Sequence, residues 1–133
     1  MAAMGLIVKQ LTVIGRKGRR RVKALFDSGA SHTLLREDLA SRLGTPEELP
    51  EPRRFEAAVG TFTARHAMFV DVVIGGKRLL TGVTLVPNLT ADLILGCDFF
   101  QRYHIRLDPR SRRIKLDPTA LRFVAVGSRL RKR

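Results

Sequence analysis

Ala24-Leu25-Phe26-Asp27-Ser28-Gly29-Ala30-Ser31 carries an apolar run straight into one carboxylate and a tight Ser-Gly turn. The run reads as a buried strand, and the turn residues end it. An aspartate at the end of a buried strand is costly unless something holds its charge or its proton. Hydrolysis by paired carboxylates gives such a residue a use. One acid stays protonated, the other stays ionised, and a water is activated between them. No second copy of the turn follows, and the chain has no internal repeat. The pair therefore has to come from two copies of the chain, which makes a symmetric homodimer part of the expectation.

Outward from this turn, residues 6–14 are rich in β-branched side chains and read as a strand. Gly15-Arg16-Lys17-Gly18 has hairpin chemistry, and residues 20–26 return as a second strand. Residues 33–43 read as a short helix stopped by Gly44, with Pro46 barring continuation. Pro50 and Pro52 mark a linker. Residues 53–59 and 62–74 form a long hairpin around Gly60, and Gly75-Gly76 turns the chain into a strand over 79–86. A loop at 87–90 precedes a short buried strand at 93–95 and a helical stretch at 98–103. Residues 105–107 pair with 114–116 across Asp108-Pro109-Arg110, and 121–126 make a last strand. Short, closely spaced strands with one or two short helices predict an all-β fold, a small closed β-barrel. Residues 1–126 are read as a single domain and 127–133 as a basic C-terminal tail.

Asp27-Ser28-Gly29-Ala30 resembles the Asp-Ser/Thr-Gly-Ala signature of retropepsin-like aspartic proteases, the single-lobed relatives of pepsin. Leu93-Ile94-Leu95-Gly96-Cys97-Asp98-Phe99-Phe100 is similar to that family's second element, large apolar residues and a glycine leading into a short helix. Ala58-Val59-Gly60-Thr61-Phe62 falls where the family's glycine-bearing flap belongs. The resemblance covers residues 6–117, and the spelling of Gly96-Cys97-Asp98 and Val59-Gly60-Thr61 looks closer to the DNA-damage-inducible eukaryotic branch and bacterial relatives than to retroviral members. Retroviral members pair an aspartate two places after the signature glycine with an arginine after the second glycine; here Ser31 and Cys97 stand there, so both ends are missing together.

What the resemblance implies is an aspartic endopeptidase of the homodimeric barrel type. Asp27 of each subunit is its catalytic residue, and Ser28, Gly29 and Ala30 support the turn. The Ser28 hydroxyl accepts a hydrogen bond from the opposite subunit, and Gly29 lets the backbone approach its symmetry mate. Ala58, Val59, Gly60, Thr61 and Phe62 make a mobile flap over the substrate. Leu95, Gly96 and Asp98 are structural, with Gly96 allowing close packing behind the active turn and Asp98 capping the helix that follows. Neither a nucleophilic side chain nor a metal or other cofactor is called for.

Competing chemistries find little footing. His32, His66 and His104 lack metal-ligand spacing with one another or with Cys97. Ser28 lacks the Gly-x-Ser-x-Gly elbow, and Gly75-Gly76 opens a strand rather than a phosphate-binding helix. Cys97 reads as a small, buried apolar residue.

The chain of 133 residues is 44% apolar, enough for a core, and carries a formal charge of +13. Its cations cluster at Arg16–Arg21, Arg110–Arg113 and Arg129–Arg133. With one Tyr and no Trp it lacks the aromatic interleaving of a single-strand binder, so the runs read as solvated turns and a tail that attract nucleic acid weakly and without sequence preference. No run approaches the ~18 apolar residues of a membrane span, so no membrane partner is expected. Met1-Ala2-Ala3-Met4-Gly5 does not open a signal peptide, and the lone Cys97 fits a reducing compartment, so cytoplasm is the expected location. The alternative reading is a catalytically weak module of the same fold that uses its basic surface to bind nucleic acid or acidic proteins.

Overall fold

A computed structural model describes residues 6–57 and 60–116. Strand β1 (Leu6–Ile14) turns through Gly15–Gly18 and returns antiparallel as β2 (Arg19–Asp27). Val22, Ala24 and Phe26 of β2 point inward, while Arg19, Arg21 and Lys23 are exposed. This alternation gives way at Leu25, which is also buried, because the far end of β2 is covered on both faces. Next come β3 (Leu34–Arg36), a 3-10 turn at Glu37–Leu39 and a single helical turn, α1 (Ala40–Leu43).

Strand β4 (Glu47–Ala57) pairs with the long β5 (Gly60–Ile74), which turns through Gly75-Gly76 into β6 (Lys77–Val86). Both glycines of that turn have positive φ, at 58° and 77°, a backbone state that glycine adopts without a Cβ penalty. Strand β7 (Leu93–Leu95), helix α2 (Cys97–Tyr103) and the small hairpin β8 (Arg106–Asp108) and β9 (Arg113–Lys115) complete the described chain.

Six strands close in the order β1-β2-β7-β3-β6-β5, with β5 returning to β1 through Thr12 to Val73, Val13 to Val72 and Ile14 to Asp71. Strand β4 lies outside this ring on the first half of β5. The barrel interior is filled by side chains such as Ile7, Val13, Phe26, Val72, Leu93 and Phe99. A second cluster, including Leu25, Ala30, Leu34, Phe55 and Ile94, packs on the opposite face of β2, β3 and β7, with Phe62 against it. Leu93, Ile94 and Leu95 are all fully buried because that strand lies between the two clusters.

Two expectations change. Residues 33–43 are not one helix: Leu34 and Leu35 are drawn into β3 by pairing with β6 and β7, and only residues 40–43 are α-helical. The stop at Gly44 holds. Pro50 and Pro52 lie inside β4 rather than in a linker. A register shift between Glu48 and Arg53 brackets both, and β4 is the edge strand, where a missing N–H is tolerated. The expected flap residues Ala58 and Val59, the strand at 121–126 and the tail at 127–133 lie outside the described residues.

Asp92, just before β7, ties β2 to β3 from the barrel surface. Its Oδ2 accepts the Lys23 N–H at 2.8 Å, its Oδ1 accepts Arg36 Nη1 at 2.8 Å, and its carbonyl accepts the Arg36 N–H at 2.9 Å. Arg36 also bonds Asp38 at 2.6 Å, and this guanidinium holds the Asp38 carboxyl below the ordinary carboxylate range.

Candidate active site

Asp27 is the last residue of β2, opposite Leu6 of β1. It is 0% exposed. Its Oδ1 accepts the Gly29 N–H at 2.7 Å, and its carbonyl accepts the Ala30 N–H at 3.1 Å. An aspartate that bonds the backbone two residues on closes a tight turn, which is why the strand stops here. Ser28 and Gly29 are exposed at the tip, and Ala30 is buried in the second cluster.

The turn is clamped from behind by the segment that follows β7. The Cys97 N–H donates to the Ala30 carbonyl at 2.8 Å, and the Cys97 thiol contacts the Ser28 carbonyl at 3.1 Å. A Cβ on Gly96 would lie 2.5 Å from the His32 carbonyl oxygen and 2.8 Å from that of Ala30, so only glycine allows this approach. Leu95, the last residue of β7, is fully buried. Asp98 departs from its expected role. Helix α2 begins one residue earlier, at Cys97, with Gly96 as N-cap and no side-chain cap. The Asp98 carboxylate instead accepts the Thr33 hydroxyl at 2.8 Å and the Thr33 N–H at 3.2 Å.

Thr33 is the site residue that local sequence did not single out. It is buried, and its Oγ1 also accepts the Gly96 N–H at 3.2 Å. It thus ties the exit of the Asp27 turn to both Gly96 and Asp98. The available signal was a threonine breaking the approach to Leu34-Leu35, but the partner that gives it meaning is 65 residues away.

The β4–β5 hairpin closes through pairs Phe55 to Phe62, Glu56 to Thr61 and Ala57 to Gly60. Gly60 has φ of 141°, and Gly60 and Thr61 are exposed. Phe55 is buried and meets the His32 ring edge-on, with centroids 4.7 Å apart, while Ser31 Oγ lies 2.8 Å from His32 Nδ1. The closing end of this hairpin, at Phe55 and Phe62, and the exit of the Asp27 turn therefore share one packed cluster. Among the described residues no group of three or more His, Cys, Asp and Glu could hold a metal ion, and no helix is long and apolar enough to cross a membrane.

A closed barrel with one Asp-Ser-Gly turn clamped by an apolar-Gly-helix element describes a retroviral-type aspartyl protease fold. Residues 14–102 match the family described as "gag-polyprotein putative aspartyl protease", and the chain belongs to that family. It is similar to DNA damage-inducible protein 1 of Phaeosphaeria nodorum, 33% identical over 108 residues, which are 79% of this chain and 23% of that protein. The protein of the same name from Neurospora crassa is 33% identical over 91 residues, 66% of this chain and 20% of that protein. The chain thus spans less than a quarter of the length of these curated relatives. The retroviral protease-like domain of Ddi1 from Leishmania major shares its fold, with a TM-score of 0.61, 17% identity and coverage of 84% of this chain and 90% of that one.

Proposed function

We propose that this chain is an aspartic endopeptidase in which two copies each contribute one Asp27 to a shared site. The observation that carries the reading is a single carboxyl per chain, held by the Gly29 N–H at the end of β2 in a fold of this family. Two carboxyls about 3 Å apart cannot both ionise, so they share one proton. The ionised Asp27 takes a proton from a water bridging the pair, and the water attacks the scissile carbonyl. The protonated Asp27 donates to the developing oxyanion, and the roles reverse as the amine leaves.

Exposed Ser28 and Gly29 form the contact between the two turns, with Ala30 rooting each turn in its own second cluster. Ala58, Val59, Gly60, Thr61 and Phe62 close over a peptide or an extended protein segment. Leu95, Gly96 and Asp98 hold the turn from behind. On this reading residues 1–126 are one domain, 127–133 are a dispensable basic tail, and the enzyme acts in the cytoplasm. Nucleic acid is attracted only weakly, by charge.

The complete burial of Asp27 favours a second reading, a module of the same fold with little or no catalysis, since a substrate reaches this carboxyl only after its surroundings open. A peptide-library cleavage assay separates the two. Asn keeps an acceptor for the Gly29 N–H but cannot ionise, so Asp27→Asn is expected to remain folded and to cut roughly a hundred- to ten-thousandfold more slowly. Equal cutting by wild type and variant would place the chemistry elsewhere. Absence of cutting by wild type from acidic to neutral pH would leave the module reading standing.

A further inference from the structure

We infer that the outer wall of the barrel, at the end of the β1–β2 hairpin remote from Asp27, docks an acidic protein segment that carries apolar side chains. Pairing registers place the outward residues of four strands in rows. One row runs Arg19, Ile14, Asp71, Leu80, and the next runs Arg21, Thr12, Val73, Arg78. Phe69, beside them on β5, lines a groove of about 800 Å³ together with Ile14 and Leu80. Phe69 is 69% exposed and Leu80 is 46% exposed, although both sit mid-strand. Soluble chains seldom leave an aromatic and two aliphatics adjoining on an open face without a partner for them.

Charge selects the partner. Arg16 and Lys17 at the hairpin tip and Arg78 on β6 line the same groove, and Arg19 and Arg21 border it on β2. Its carboxylates are Glu47 and Asp71, and Asp71 is bonded by Arg78 at 2.8 and 3.0 Å. Among the described residues no ion pair joins Arg16, Lys17, Arg19 or Arg21 to a carboxylate. An apolar centre with a cationic border fits an amphipathic segment with Leu or Phe on one stripe and Glu or Asp beside it. Nucleic acid fits less well, because the centre is mostly aliphatic and the one aromatic ring already lies over Gly82.

The wall lies on the order of 25 Å along β1 from Leu6, the partner of Asp27, so it is an anchoring surface away from the proposed chemistry. It stands whether or not the chain cleaves peptides, and Asp27→Asn should dock equally well.

The test is fluorescence anisotropy at physiological salt with a Glu-rich peptide bearing Leu and Phe at every third or fourth position. A Glu-only peptide and a single-stranded oligonucleotide of equal charge serve as comparisons. The amphipathic peptide should bind best, and both Phe69→Ser/Leu80→Ser and Arg19→Ser/Arg21→Ser should weaken it by at least about tenfold. The Glu-only peptide should respond to the arginine changes alone. Leu80→Ser by itself carries the apolar arm if Phe69→Ser, by uncovering Gly82, lowers the unfolding temperature. Absence of binding, indifference to the apolar changes, or tighter binding of the oligonucleotide would overturn the inference.

Discussion

Every polar atom of Thr33 is bonded: its N–H and hydroxyl to Asp98, its Oγ1 from Gly96, and its carbonyl from the Thr84 N–H at 3.1 Å. Thr33→Val keeps the shape but leaves the buried Gly96 N–H without its acceptor, and is expected to lower unfolding stability by about 1–3 kcal/mol. Asp98 is exposed and water can replace its partner, so Asp98→Asn should cost less than Thr33→Val. Gly96→Ala should cost more than either, because its Cβ meets two backbone oxygens that have no side-chain freedom to yield. Urea unfolding ranks the three, and a Gly96→Ala as mild as Asp98→Asn would show that the turn adapts. At this scale the Asp27 turn and the Gly96 approach were legible, since both are local signatures. The bond that joins them was not, because Thr33 locally resembles a helix start and Asp98 a cap.

Among elements, the hairpins declared themselves through Gly15–Gly18 and Gly75-Gly76, whose turn chemistry is local. Strand β3 did not, because Leu34 and Leu35 are extended only by virtue of neighbours far along the chain. The prolines of β4 misled for a related reason, since they mark an edge only once the sheet order is known. That edge strand depends on Phe55, which seats the β4–β5 hairpin on the second cluster. Phe55→Ala should destabilise the chain by about 3–5 kcal/mol. Hydrogen exchange should quicken in the paired segments 53–57 and 60–64 and change least in β1 and β2. A uniform loss of protection would mean that the hairpin and the barrel unfold as one unit.

For the whole molecule, a charge of +13 sets two salt dependences in opposition. Two copies brought together on a two-fold axis repel, so the proposed dimer should gain population as salt rises and screens them. Polyanion binding should weaken over the same range, because it is driven by counterion release. Sedimentation and oligonucleotide titration in one salt series check both. A strict monomer under conditions where peptides are cut would contradict the two-chain site.

Closure of the barrel also sets an order of events. Strand β2 gains its parallel neighbour only from Leu93–Leu95, and the Asp27 turn and its exit at Thr33 gain their clamp from the segment 96–98 that follows. Contacts between segments some 65 residues apart form slowly, since a long loop must close before they return any stabilisation. A nascent chain that has emerged only as far as β6 therefore displays Asp27 on a strand with an open edge and no support behind it. The Asp27 turn acquires its backing among the last contacts of folding, and a chain interrupted before residue 93 lacks both the parallel neighbour of β2 and the clamp behind the turn.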